Sequence, residues 1–401
     1  MKILLVSDYA SRAGGAEVLI YSLRDGLRAR GHDARFFASS ALRPEADAAA
    51  DGAADYTCFG TTSSFRTLLQ SANPWAARRL RQALAEFRPD VVHVKLFLTQ
   101  LSPLILPELR ATPALYHAVW YRAVCPTGNK LLPSGRPCAE RYGPPCLANG
   151  CLPRRDYAPL MWQMERLERD RDAFDMVVAN SDWTAAVMRE HGLGPVERVW
   201  NGIPAAPLQP PLADPPTVAF AGRLVREKGA ALLLRAFARA REAVPAAVLL
   251  LAGHGPQRAE LERLAQSLEV GDAVRFLGFV PHRELEARLA GAWVQAVPSL
   301  WDEPFGLVAA EAMMRGRAVV ATRSGGLQEL VAGAETGLLV ERGDASALAA
   351  ALIRLLSDRE EARRLGEAGR AWAQAHLSEE AFVDAFLAIY GRLAGARRSG
   401  A

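Results

Sequence analysis

From Pro204 to Pro216 the chain carries six prolines in thirteen residues. Each one removes a backbone donor and locks φ near about −65°, so neither a helix nor an inner strand continues through the stretch. It reads as a linker, and it cuts the 401 residues into two parts, as expected for a chain too long for one ordinary core. On both sides short apolar runs alternate with helix-length amphipathic segments, the pattern of parallel sheets wrapped by helices. The first part predicts strands at Ile3–Ser7, Ala34–Ala38, Val91–Val94, Ala114–His117, Met176–Ala179 and Val196–Trp200. The second predicts Val218–Ala221, Ala247–Ala252, Val274–Leu277, Val294–Val297, Ala318–Ala321 and Gly337–Val340. The expected class is α/β, with one doubly wound domain on each side of the linker. Ligands of such open sheets sit beyond the carboxyl ends of the strands, so two facing domains predict a site in a central cleft.

Half the residues are hydrophobic and 23% are charged, the balance of a globular enzyme and not of a disordered chain. No apolar run is long enough to cross a bilayer. The opening Met1-Lys2-Ile3-Leu4-Leu5-Val6-Ser7 enters a strand directly, without a signal-peptide cleavage pattern, which predicts a cytoplasmic location. The net charge of +4 falls in the N-terminal half. A mildly basic half can favour an anionic membrane surface or acceptor, and an ordinary solvated surface accounts for it equally well. Nucleic-acid binding would require a concentrated basic stripe or a recognisable module; the sequence has neither.

Chemistry concentrates in Glu303-Pro304-Phe305-Gly306-Leu307-Val308-Ala309-Ala310-Glu311. It sets a loop carboxylate before a helix that carries a second one. A carboxylate is acceptor-only and can take two hydroxyl donors at once, which suits sugar binding; two acids favouring a helix start is the plainer alternative. Upstream stand Ala221-Gly222-Arg223-Leu224-Val225-Arg226-Glu227-Lys228-Gly229 and Ala252-Gly253-His254-Gly255-Pro256. Downstream stand Ser324-Gly325-Gly326-Leu327-Gln328-Glu329-Leu330 and Thr336-Gly337-Leu338-Leu339-Val340. In this order and spacing they resemble the retaining glycosyltransferases of family 4, over nearly the whole chain from Gly14-Gly15-Ala16-Glu17 to the last helix.

The resemblance implies the GT-B fold: two doubly wound, Rossmann-like domains facing a central cleft. It assigns residues 1–203 to an acceptor-side domain with a Cys-rich insertion at 121–156, 204–216 to the linker and 217–377 to a nucleotide-sugar donor domain. It also implies that a final helix, 378–401, packs back on the N-terminal domain. Here Phe382, Phe386, Ile389 and Tyr390 supply one apolar face for that packing. By the same resemblance Arg223 and Lys228 grip the donor diphosphate, Glu303 holds hydroxyls of the donor sugar and Glu311 the ribose. Backbone N–H groups of Phe305, Gly306 and Leu307 face the ligand from a helix start, and Gly253 allows close approach of the backbone to it. Gly278-Phe279-Val280-Pro281 frames the base, whose identity is not legible. With no Asp-x-Asp cluster near, the two cations can do what a metal does elsewhere, so no catalytic cofactor is expected. Two positions depart from the family pattern, Ala318 and Pro204, where Pro and Asp are usual; neither touches these contacts.

Gly14 and Gly15 open the first helix. A dinucleotide fingerprint would need G-x-G-x-x-G there, and its absence argues against an oxidoreductase; in the family this loop lies between diphosphate and acceptor. His117 ends its predicted strand and matches a family His that contacts the donor sugar, although a lone His at a strand end is ordinarily structural. The implied reaction moves a hexose-type sugar from a nucleotide-diphosphate donor to a hydroxyl acceptor with retention. The leaving diphosphate oxygen helps deprotonate the acceptor, while the protein supplies charge stabilisation and positioning. The acceptor can be a glycan, a lipid-linked sugar or a small molecule. A nucleotide-sugar epimerase or hydrolase on the same fold, and a non-catalytic sugar-nucleotide sensor, are the rivals.

Four of the five cysteines, Cys125, Cys138, Cys146 and Cys151, fall in the loop-rich insertion after His117. Four thiolates can hold one tetrahedral structural zinc. The C-x-x-C knuckles that usually announce such a site are missing, and free thiols are the alternative. Trp75, Arg78, Arg79 and Arg81 give one helix a basic, aromatic-tipped face. An ordinary amphipathic helix explains it, and weak peripheral contact with the inner membrane face is the alternative.

Overall fold

The computed structural model describes residues 1–10, 15–41, 54–63, 65–207, 211–331 and 335–398. Two compact units divide the chain. Met1–Ser134, Cys138–Gly202 and Glu379–Ala401 form the first, Gly135–Pro137 and Ile203–Ser378 the second. Among the described residues the first unit holds seven strands: β1 Lys2–Tyr9, β2 Asp33–Ser39, β3 Tyr56–Cys58, β4 Val91–Val94, β5 Ala114–Ala118, β6 Met176–Ala179 and β7 Val196–Arg198. The second holds β8 Thr217–Ala221, β9 Val248–Ala252, β10 Val274–Gly278, β11 Val294–Val297, β12 Ala318–Thr322 and β13 Leu338–Val340. Neighbouring strands are parallel throughout, in the orders β3-β2-β1-β4-β5-β6-β7 and β10-β9-β8-β11-β12-β13.

Each sheet grows outward in one direction and then reverses, between β1 and β4 in the first and between β8 and β11 in the second. Those reversals open the crevices where ligands of doubly wound sheets bind. The strands are apolar on both faces because helices cover both: Ile3, Leu4, Leu5 and Val6 are all fully buried, which alternating patterning would not require. Only β3 was not expected. It is three residues long and pairs with β2 alone.

The last helix, Glu379–Arg398, belongs to the first unit. Phe382, Val383, Phe386, Ile389 and Tyr390 recur at helical spacing and are buried with Leu5, Leu115 and Val178 of the first sheet. At about 1.5–3 kcal/mol for each buried large apolar side chain, this stripe alone is ample to hold the helix. The linker, apart from 208–210, which lie outside the described residues, clings to the second unit. Trp293 Nε1 donates to the Ala213 carbonyl at 2.7 Å and Arg370 to that of Ala206 at 2.8 Å.

Candidate active site

In the second unit the chemistry collects where the sheet reverses. After β8 the chain runs through Gly222 and Arg223 into a short turn, Arg226–Lys228, and then a helix, Ala230–Ala243. After β11 it runs through Ser299 to Glu303. These two connections bring Lys228 and Glu303 together: Lys228 Nζ donates to Glu303 Oε1 at 2.6 Å. Ser299 Oγ donates to the same oxygen at 2.6 Å. Glu303 is only 6% exposed. Burial pushes its carboxyl up, but the Lys228 ammonium and the hydrogen bonds outweigh burial and hold it below its ordinary value. Glu303 is therefore a charged group in a dry place, kept so by its partner. Lys228, its side chain 24% exposed, has three N–H donors and gives one to Glu303. Its ammonium also lies 5.2 Å from the centre of the Trp301 ring, a cation–π contact.

Arg223 is not drawn into this pair. Its side chain is 64% exposed and stands 3.8 Å from Glu227. Phe305 is buried, and Gly306, at φ 106°, precedes the helix Leu307–Met314. A Cβ at Gly306 would come within 2.6 Å of Leu327 Cδ1, so both the backbone angle and the packing demand glycine. The helix start leaves first-turn N–H groups without intrahelical partners. Glu311 sits in the second turn on the less buried side of this helix, near enough to the buried Arg315 to act on its charge. Phe279 is 57% exposed and meets His254 edge-on at 5.6 Å, a flat apolar surface beside the end of β10.

Gly253 has a packing reason of its own beside the expected ligand approach. A Cβ there would lie 1.8 Å from the Gly222 carbonyl oxygen, so the missing side chain makes room for the neighbouring strand end. The supporting residues Ser299 and Trp301 escaped sequence reasoning. Their one signal is proximity to Glu303, in a loop with otherwise unremarkable residue types.

In the first unit Gly14 lies outside the described residues, and Gly15 is the first residue of the helix Gly15–Ala29. Glu17, in its first turn, is buried. Strand register places Lys95, just past β4, beside His117 of β5. Lys95 is 1% exposed, and burial drops its ammonium to about 7 against the opposing pull of Glu17. His117 does not sit at an open strand end, as the sequence suggested. It is fully buried, its Nδ1 is 3.1 Å from His93 Nε2, and its ring packs 5.0 Å from that of Phe386. Burial, with Lys95 nearby, pushes both imidazoles well below their ordinary pKa, so both are neutral. His93, Lys95 and Tyr390 were not singled out as site residues, because two stand within or beside an apolar strand and the third is on an apolar helix stripe.

All five cysteines are free. Burial raises the thiols of Cys146 and Cys151, and the charges of the other loop cysteines raise them further, so the four are neighbours. Yet Cys125 Sγ is 3.1 Å from Thr127 Oγ1, and Cys146 packs with Leu152, Leu160 and Met161. Among the described residues no group of three or more His, Cys, Asp or Glu is arranged to hold a metal ion. The loop as folded does not present the expected zinc set.

Two parallel Rossmann-like sheets with charged and glycine-rich carboxyl edges define a GT-B nucleotide-sugar transferase. Residues 13–206 match the model of glycosyltransferase family 4, and residues 209–372 that of the group 1 glycosyl transferases. The chain belongs to this family and is a glycosyltransferase. It is 29% identical over 393 residues to a glycogen synthase of Mycobacterium tuberculosis, covering 92% of this chain and 89% of that one. A GDP-mannose-dependent phosphatidylinositol monomannoside mannosyltransferase of Mycolicibacterium smegmatis is 40% identical over 168 residues, 40% of this chain and 44% of its own. Among solved structures, sucrose-phosphate synthase of Thermosynechococcus elongatus superposes with a TM-score of 0.73 at 27% identity, over 99% of this chain and all of that one. No described helix is long and apolar enough to cross a membrane.

Proposed function

We propose that this chain moves a hexose-type sugar from a nucleotide-diphosphate donor to a hydroxyl acceptor with retention at the anomeric carbon, and without a catalytic metal. The observation that carries the reading is the buried Lys228–Glu303 pair at the reversal of the second sheet. A lysine that satisfies one carboxylate and keeps further donors can take a diphosphate oxygen without first losing its partner. Arg223, exposed and only loosely held by Glu227, is free to swing onto the same diphosphate and give it a second, bidentate cation. Together they neutralise the charge that grows on the leaving group, which supports a metal-independent reaction. Glu303, held ionised, accepts hydroxyls of the donor sugar, and Glu311 those of the ribose. Phe305, Gly306 and Leu307 offer the helix start to the anion, and His117, whose buried Nε2 has no hydrogen-bond partner among the described residues, offers that nitrogen to the sugar. With no protein nucleophile in the set, the departing oxygen takes the acceptor's proton on the face where the new bond forms.

On the acceptor side, a groove of about 560 Å³ in the first unit is lined by Phe59, Phe65, Leu68, Trp75 and Trp162, each more than a third exposed. Arg66, next in sequence to Phe65, and Arg78, three residues after Trp75, are exposed. Exposed aromatics with cations near them in the sequence favour a peripheral contact with an anionic membrane, where a lipid-linked acceptor would reside. Co-sedimentation with vesicles of neutral and of anionic lipid tests this, and equal lack of binding to both would remove it.

The donor assignment is tested by calorimetric titration with UDP, GDP and ADP in the presence of chelator. Tight binding of one nucleotide supports the reading and names the base; binding that requires added metal overturns metal independence, and no binding overturns the donor site. Product analysis with the matching sugar nucleotide then separates transfer from epimerisation, hydrolysis or mere sensing.

A further inference from the structure

Three buried side chains of the first unit form a line. The Tyr390 hydroxyl is 2.6 Å from His93 Nδ1, and His93 Nε2 is 3.1 Å from His117 Nδ1. His117 Nε2 ends the line, buried and with no hydrogen-bond partner among the described residues. The members come from the last helix, β4 and β5, and Phe386 packs against both imidazoles at 4.7 and 5.0 Å.

The direction of the line follows from chemistry. Burial holds the Tyr390 phenol well above its ordinary pKa, so it keeps its proton. Its bond to His93 is the one it makes among the described residues, so the phenol donates there. A neutral imidazole carries one N–H. With Nδ1 of His93 accepting, the proton is on Nε2 and is donated to His117 Nδ1. The His117 proton is then on Nε2 as well.

We propose that Tyr390 is a positioning residue, which acts through His93 to fix His117 as the Nε2–H tautomer and so present a hydrogen-bond donor to an oxygen of the sugar-nucleotide donor. The proposal rests on the transferase reading for its ligand, but the tautomer stands on the three side chains alone. The line is neutral from end to end. Lys95 beyond β4 and Glu17 on the first helix are the charged groups beside it. The buried amine disfavours any imidazolium, so the donor is an N–H of fixed direction and not a charge that comes and goes with pH. It also gives the packing of the last helix on the first sheet a chemical consequence.

The test is long-range 15N–1H correlation on the full chain, which separates the two imidazole tautomers by their nitrogen shifts. Wild-type protein is expected to show His93 and His117 both as Nε2–H at neutral pH. An Nδ1 proton on either overturns the proposal, whatever the enzyme turns over. Tyr390→Phe removes one oxygen and keeps the ring that packs on Phe386, so the fold should hold, as an unchanged thermal transition would verify. In that variant the His117 signal should move toward a mixture of tautomers. The kcat should fall by about tenfold, the equivalent of one hydrogen bond, while affinity for the free nucleotide diphosphate stays within twofold. Unchanged His117 shifts together with unchanged kcat overturn the role of Tyr390. Loss of nucleotide binding by the wild-type protein would instead overturn the donor-site reading and leave the tautomer result intact.

Discussion

The two sheets share one topology, yet their reversal points are built from opposite electrostatics. The second unit sets a full charge against a full charge, Lys228 on Glu303 at 2.6 Å. The first unit sets neutral groups in a line, with Tyr390, His93 and His117 all held uncharged by burial. A buried ion pair is expensive to desolvate and weak evidence of stability, so its presence at a ligand crevice points to chemistry. A neutral line costs little and offers direction in place of charge.

The comparison breaks most severely at Lys228. Lys228→Met leaves the Glu303 carboxylate buried with no cation beside it, a loss of about 3–5 kcal/mol for a fully buried pair and less here because Lys228 keeps a quarter of its exposure. Expected are a lower thermal transition and loss of measurable nucleotide-diphosphate binding; a variant that binds normally would refute the cation's role. Glu303→Gln is gentler on the fold, since Ser299 and Lys228 can still donate to an amide oxygen. Turnover should fall by about 10²–10³-fold, the scale of a lost electrostatic contact at the reacting centre, with nucleotide affinity little changed. A large loss of affinity would mean that Glu303 acts on the diphosphate through Lys228, by holding that ammonium in place. Arg223→Ala removes an exposed cation that is free to reach the diphosphate, and nucleotide affinity is expected to drop by about five- to tenfold, the drop shrinking at high salt.

The pH dependence of stability separates the two regions again. Glu303 has a lowered pKa in the folded state. Its contribution is present above the unfolded value and disappears on acidification through the folded one. Lys95 is lowered to about 7 from 10.5. Between those values the unfolded chain binds more protons, so stability rises with pH there, by up to about 1.4 kcal/mol per unit. Below about 7 the amine is charged in both states and the full burial cost is present. Lys95→Met should therefore raise stability at neutral pH and flatten the rise on going to pH 10. Chemical denaturation at pH 6, 8 and 10 checks it, and a variant that keeps the wild-type slope would place the burden elsewhere.

How much of this was legible follows from the same physics. Strands buried on both faces announce themselves as apolar runs, so β1, β4, β8 and β11 were readable from the chain. β3 was not, because three residues at a sheet edge carry too little pattern. Lys228 and Glu303 were each named from local motifs, but their pairing spans 75 residues and depends on two strands lying side by side. The tyrosine–histidine line was illegible for a different reason. Tyr390 counts as apolar on its helix stripe and His93 interrupts an apolar strand by one residue. Only tertiary packing across 297 positions joins them. Local motifs thus exposed the two members of the charged pair, while the neutral line exists only through packing.

The smallest effect is expected from the cysteine loop. A structural zinc requires four deprotonated thiols converging on one point. Here burial raises the Cys146 and Cys151 thiols above their ordinary values, and the neighbouring cysteines raise them further. Among the described residues no three of these groups are arranged as a metal set. The loop is instead held by ordinary contacts, among them Cys138 N on the Lys130 carbonyl at 2.7 Å and Cys151 N on that of Cys146 at 3.0 Å. Protein purified without chelator is expected to carry substoichiometric zinc, and added chelator should leave its thermal transition in place. One zinc per chain, lost together with stability on chelation, would mean that the four thiols close around the ion and that the loop is a metal-built element beside His117.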